Sequence, residues 1–265
     1  MKIIKYHYIL LLCSLVLIVT SCSKQEKTEE GVIKINDKGI PVMQPLQEPL
    51  PKLTTAFIND KKYGSARFFE KIWSEKNDNV SFLVAKNGQI IYENYMGYAN
   101  KRTDEKITKD TPLHIASVSK VLTATAVLML IDAKKLKLNQ KAATLIEGFP
   151  YPDVTVQTLL NHRSGMKNYA YFTYENNNWD RKKILTNEDI IKVMVEKEIP
   201  LETKTDTHFS YCNTNYAMLA LIIEKVTGLK YPEAMKEMIF TPIGMTNTYV
   251  CEFEKDRENL VPSYK

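Results

Sequence analysis

The chain is poor in the residues that interrupt or staple a fold. Its 265 residues include 9 glycines and 11 prolines, too few for a collagen-like repeat or a low-complexity linker protein. Four cysteines exclude a disulfide-dense miniature scaffold. Charge of one sign is lacking too: 36 Lys plus Arg stand against 31 Asp plus Glu, a formal net charge of +5. No basic cluster is dense enough to track a phosphate backbone, so no nucleic-acid partner is expected. The apolar run at residues 9–19 is shorter than the ~20 residues a helix needs to cross a bilayer. What is present is ordinary: 44% hydrophobic and 25% charged residues, enough for one sizeable core or two small ones.

Residues 1–21 read as an export signal, with Lys2 and Lys5 ahead of that apolar run. Loss of both lysines leaves an excess nearer +3. The run ends in Val19-Thr20-Ser21-Cys22, which resembles the lipobox of bacterial lipoproteins. That resemblance implies cleavage before Cys22, lipidation of its thiol and anchoring by several acyl chains. The expected location is the bacterial cell envelope, lipid-anchored to a membrane and facing the periplasm or exterior. Residues 22–53, rich in Lys, Glu, Pro and Gln without helical or strand period, read as a tether. The folded domain is then 54–265. Whether Cys212 and Cys251 pair is open at this stage, and their spacing to His208 matches no zinc pattern. Neither a metal nor an organic cofactor is expected.

A hairpin is expected over residues 79–94, where two β-rich runs flank Asn87-Gly88, a pair suited to positive φ. Residues 117–136 read as a helix that is apolar or small on every face, and so should be surrounded at the middle of the fold. A short helix is expected at 156–162. Thr186 opens another that runs to about Glu196. A further helix starts at Asn213 or Thr214 and ends at Gly228, and Pro232 suits the first turn of the next. The aromatic and Asn-rich stretch 168–179 reads as a long loop, lining a cleft or packing on itself.

A serine hydroxyl needs a base within hydrogen-bond reach to act as a nucleophile. Ser and Lys three apart on a helix share one face and supply that proximity. Ser-x-x-Lys occurs at Ser21, Ser117 and Ser164. Context selects Ser117 and Lys120, at the start of the apolar helix, where backbone N–H groups can also receive an oxyanion. Tyr-x-Asn occurs four times; only Tyr211-Cys212-Asn213 stands directly before a buried-looking helix and downstream of that serine.

Wider wording adds specificity. Ile115-Ala116-Ser117-Val118-Ser119-Lys120, Leu159-Leu160-Asn161-His162-Arg163-Ser164-Gly165-Met166, Phe209-Ser210-Tyr211-Cys212-Asn213-Thr214-Asn215-Tyr216 and Thr241-Pro242-Ile243-Gly244-Met245 follow in this order. Together they resemble the β-lactamase-related serine hydrolases: class C β-lactamases, D-alanyl-D-alanine carboxypeptidases and esterases of the same fold. The resemblance implies an α/β (α+β) fold, a helical subdomain beside an antiparallel sheet. It makes Ser117 the acyl-accepting nucleophile, Lys120 its activating partner and Tyr211 the general base, then acid. Asn213 would hold Lys120 and the substrate amide. The implied substrate is a small molecule or cell-wall peptide: a D-Ala-D-Ala-type peptide, a β-lactam or a small ester. His162, Asn161 and Ser164 read as structural.

Two departures stand out. The family's Pro-Gly pair before the Tyr-x-Asn block aligns with Thr205-Asp206. Its third element, Lys or His followed by a small residue and Gly, does not occur after Asn213, so the sheet's C-terminal strands are expected to be missing. On that expectation this chain is poorly stable alone and hydrolyses little. The competing reading is a non-catalytic or degenerate lipoprotein that uses the same cleft for binding only.

Overall fold

The computed structural model describes residues 33–262, apart from Gln47 and Asn77. The expected signal and Cys22 lie outside the described residues. Among those described, no helix is long and apolar enough to cross a membrane.

Short strands β1 (Lys34–Ile35) and β2 (Pro41–Val42) pair antiparallel. They fall within the stretch expected to be a tether, yet this part of it is docked. Ile40, 3% exposed, joins the main core, and the Met43 N–H donates to the Met238 carbonyl at 2.7 Å. One buried isoleucine and one backbone bond leave no periodicity to read. The first long helix, α1 (Thr55–Trp73), is capped by the Thr54 hydroxyl, which accepts the Phe57 N–H.

Strands β3 (Val80–Lys86) and β4 (Gln89–Met96) form the expected hairpin. Asn87 and Gly88 both have positive φ, 50° and 70°, the pairing that matches the twist of the flanking strands. Phe82 and Val84 turn inward while Ser81 and Leu83 are exposed. The inner face meets α1 through Phe69, Trp73, Phe82 and Tyr92. A third ladder, β5 (Tyr98–Asn100) with β6 (Glu105–Lys106), follows.

The rest is helical: α2 (Ser119–Asp132), α3 (Val156–Leu160), α4 (Tyr169–Phe172), α5 (Asn187–Glu196), α6 (Asn213–Thr227), α7 (Tyr231–Met235) and α8 (Phe253–Asp256). Thr186 and Asp189 close a capping box on α5, and left-handed Gly228 ends α6. Past α7 the chain makes one wider turn, Lys236–Phe240, that buries Met238, Ile239 and Phe240.

The middle of the fold is α6, not the serine-bearing helix. It packs on α2, α3, α4, α5 and α7, and Met218, Leu219, Ile222 and Ile223 have no exposed surface. Helix α2 faces it with Ala126, Val127 and Leu130, but Val121 on the opposite side is 65% exposed and Leu128 is also exposed. An all-round apolar composition cannot say which face lacks a neighbour, so the expectation of a fully surrounded α2 fails.

Candidate active site

Ser117 stands in a single tight turn, Ala116–Val118, that leads into α2. Ala116 has φ 46°, left-handed backbone that a residue with a Cβ rarely adopts. The Ser119 hydroxyl donates to the Ala116 carbonyl at 2.7 Å and braces this elbow. One turn on, Lys120 Nζ donates to Ser117 Oγ at 3.2 Å, the meeting that i,i+3 spacing predicts.

Tyr211 arrives from the segment before α6, and its Oη donates to Ser117 Oγ at 2.7 Å. Lys120 Nζ lies 5.0 Å from the centre of the Tyr211 ring and 5.7 Å from that of Tyr216. Hydrogen bonding with Lys120, and next with Ser117, holds the Tyr211 phenol below the ordinary tyrosine range, against an opposing effect of burial. At 49% exposure, its neighbours matter more than its burial. A serine hydroxyl therefore lies between a cation and a phenol that ionises more readily than an ordinary tyrosine, an arrangement suited to activating the serine as a nucleophile.

Asn213 opens α6 two residues beyond Tyr211. Its Oδ1 is buried without a hydrogen-bond partner, so it does not accept the bond from Lys120 that the family resemblance implies. Cys212 is buried, Cys251 is exposed and both are free thiols, which answers the pairing question.

The approach to Tyr211 is laced to the turn after α3. Glu202 N–H donates to the Gly165 carbonyl and Asp206 N–H to that of Arg163, both at 2.8 Å, and Ser210 N–H donates to that of His162 at 2.9 Å. Arg163 clasps Asp206, Nε to Oδ1 at 2.7 Å and Nη2 to the backbone carbonyl at 2.6 Å. Asp206 has φ 64°, which a short polar side chain tolerates. The Thr205-Asp206 departure is thus shaped by a charged clasp where Pro-Gly would be shaped by backbone preference. Gly165 matters for closeness: a Cβ there would collide with the Thr203 carbonyl oxygen.

His162, expected to be structural, has its ring 4.6 Å from that of Tyr211. Its place in the block of residues 159–166 is the available signal. A separate cavity of about 1130 Å³, bordered by Glu105, Asp110, Lys230, Lys236 and Tyr249, includes none of Ser117, Lys120 or Tyr211.

The Beta-lactamase family model matches residues 66–265. Penicillin-binding protein 4* of Bacillus subtilis (strain 168) is 34% identical over 182 residues, covering 69% of this chain and 40% of that protein. A D-aminopeptidase of Brucella anthropi is 29% identical over 178 residues, covering 64% of this chain and 32% of that protein. The chain thus spans less than half the length of either relative. A solved penicillin binding protein from Bacillus halodurans matches with a TM-score of 0.61 at 21% identity, over 74% of this chain and 58% of that one; this likeness speaks for the fold. With the family match extending over most of its length, the chain belongs to the β-lactamase family of serine hydrolases.

Proposed function

We propose that this chain carries the acyl-transfer site of a serine hydrolase that acts on D-amino-acid peptides, β-lactams or small esters. The observation that carries this reading is the convergence of Lys120 Nζ and Tyr211 Oη on Ser117 Oγ, at 3.2 and 2.7 Å. Once the Tyr211 phenol has given its proton to solvent, a loss that the Lys120 charge favours, Ser117 Oγ would attack the substrate carbonyl carbon as its own proton passes to the phenolate. The carbonyl oxygen becomes an oxyanion, to which the Ser117 backbone N–H would donate. Collapse breaks the bond to the leaving nitrogen or oxygen, which takes the proton back from Tyr211, and water then hydrolyses the acyl-serine. Asn213, which the family resemblance sets against the substrate amide, would have to turn its buried, unpartnered Oδ1 toward the cleft to accept that N–H. D-Ala-D-Ala-type peptides rank first because the relatives bear the names penicillin-binding protein and D-aminopeptidase. Envelope anchoring through Cys22 is part of this reading and rests on the lipobox wording alone.

The test is incubation with benzylpenicillin followed by peptide mass mapping. The expected result is one penicilloyl adduct on the peptide that holds Ser117, absent in Ser117→Ala. No adduct in the unmodified chain at millimolar penicillin would leave the binding-only reading in its place.

A further inference from the structure

His162 ends α3 in a position that glycine usually takes. Arg163 N–H donates to the Thr158 carbonyl at 2.8 Å and His162 N–H to the Leu159 carbonyl at 3.4 Å, the paired bonds that close a helix when the chain turns left-handed. His162 has φ 57°, which strains a residue with a Cβ and leaves glycine relaxed. Such strain persists where the surroundings hold the residue in place.

Here the surroundings hold the ring. It is buried and tilted by 36° against Tyr211, with centres 4.6 Å apart, and packs 5.2 Å from Tyr216 on α6. Phe209 meets it edge-on at 6.0 Å. Two N–H groups converge on Nδ1: the Cys212 backbone at 3.1 Å and Asn215 Nδ2 at 3.2 Å. A buried chain of bonds orients that amide. Ser164 Oγ accepts the Met166 N–H at 3.1 Å and donates to Asn215 Oδ1 at 2.6 Å, which turns Nδ2 toward the imidazole. Nδ1 is therefore an acceptor, and the neutral ring carries its proton on Nε2. Protonated Nδ1 would face two donors, with the Lys120 ammonium of α2 near and Arg163 adjacent in sequence. Tyr211, Cys212 and Tyr216 are the other titratable neighbours, and Asp206 is engaged by Arg163.

We propose that His162 is the positioning residue of Tyr211: as a neutral, Nε2-protonated imidazole it seats the phenol ring and anchors the Cys212 N–H, so that Tyr211 Oη meets Ser117 Oγ. This rests on reading Tyr211 as the group that takes the serine proton. It goes beyond that reading by giving His162 a role other than closing α3.

Glycine separates the two roles, because it satisfies the end of α3 and removes the ring. Acylation of the full chain by benzylpenicillin is measured across concentrations for the unmodified protein, His162→Gly and His162→Asn. Asparagine tolerates left-handed backbone and keeps an acceptor for the Cys212 N–H. Positioning predicts that His162→Gly lowers the limiting acylation rate about 10²-fold and changes the half-saturating concentration less than threefold. His162→Asn should recover at least tenfold of that loss. ¹⁵N spectra of labelled histidine, with the His162 signal assigned by its loss in His162→Asn, should show Nδ1 as an unprotonated acceptor. Acylation of His162→Gly at the unmodified rate, no recovery in His162→Asn, or a proton on Nδ1 overturns the proposal. If even the unmodified protein is not acylated, the proposed function fails by itself. The ¹³C ring signals of Tyr211, assigned with Tyr211→Phe, then decide the positioning role: displacement in His162→Gly with return in His162→Asn supports it, and no displacement overturns it. Should His162→Gly lose the helical circular dichroism of the unmodified chain, His162→Asn and the Nδ1 state decide alone.

Discussion

The helical body around α6 and the hairpin unit of α1, β3 and β4 bury their apolar residues on different plans. In the body, one continuous cluster runs from Ile40 through Leu130, Leu159 and Ile190 to Phe240. In the hairpin unit, aromatic rings sit 5.1 to 6.3 Å apart, yet none of its residues joins that cluster. A two-stranded ladder offers one face to one helix, so its other face, with Leu83 and Ile90, stays exposed. The difference bears on function because Ser117, Lys120, Tyr211 and His162 all belong to the body or its edges. Damage to the body should cost folding and site together, and damage to the hairpin unit should spare the site.

Gly165 offers the largest break. Its φ is 79° and a Cβ would collide with backbone at Thr203, the stretch that is laced to the approach of Tyr211. Gly165→Ala should cost about 4 kcal/mol, from left-handed strain plus a clash that only backbone movement relieves. Denaturant unfolding should show that loss, and penicillin acylation should fall at least tenfold even where the variant is folded. Full acylation in a folded Gly165→Ala protein would mean that the lacing does not set Tyr211.

Phe69→Ala is the counterpart in the hairpin unit. Phe69 is 6% exposed and meets Trp73, Phe82 and Tyr92, so truncation should remove about 3 kcal/mol of local stability. Hydrogen exchange should speed up through β3 and β4 while α6 amides keep their protection. Acylation should stay within twofold, and a parallel fall would show that the two regions are coupled after all.

Acid should sharpen the contrast without mutation. Burial first, and the Lys120 charge second, hold His162 below the ordinary histidine value of 6.5. The unfolded chain therefore takes up that proton more readily than the folded one, so stability is full above about pH 6.5 and declines as pH falls toward the lower folded value. Residues 55–106 contain no histidine. Between pH 7 and 5, α6 amides should lose protection by more than those of β3 and β4, corrected for intrinsic exchange. His162→Asn should remove most of that difference.

Elements that carry a strong local signal are legible in the sequence. Asn87-Gly88 marks the hairpin turn, Thr186 with Asp189 marks the start of α5, and Gly228 marks the end of α6. Ser117, Lys120 and Tyr211 stand out by the wording around them, and they meet. Features that depend on distant neighbours were hidden. Ile40 is one isoleucine in a polar stretch, and nothing local says that it enters the core. Helix α1 sets Phe69 and Trp73 against Phe82 and Tyr92 of the hairpin, partners that nothing in its own residues names. The apolar surface of α2 could not reveal its exposed face. The family resemblance marks Asp206 as a departure, but only its clasp with Arg163 shows what stands in for Pro-Gly. His162 looked structural because its ring partners, Tyr211 and Tyr216, are about fifty residues away.

Gly88→Ala is the smallest expected effect and the cleanest control on the first. Gly88 and Gly165 have nearly the same φ, 70° and 79°, but a Cβ at Gly88 meets no atom within 4 Å. Alanine there bears only the left-handed backbone cost, about 1 kcal/mol. That should speed exchange of the paired amides between Val84 and Tyr92 roughly fivefold and leave acylation and α6 untouched. The gap between the two alanine variants then measures close packing, since the backbone cost is common to both. If Gly88→Ala proves as damaging as Gly165→Ala, left-handed strain explains both, and the body gains nothing from the contact of Gly165 with Thr203.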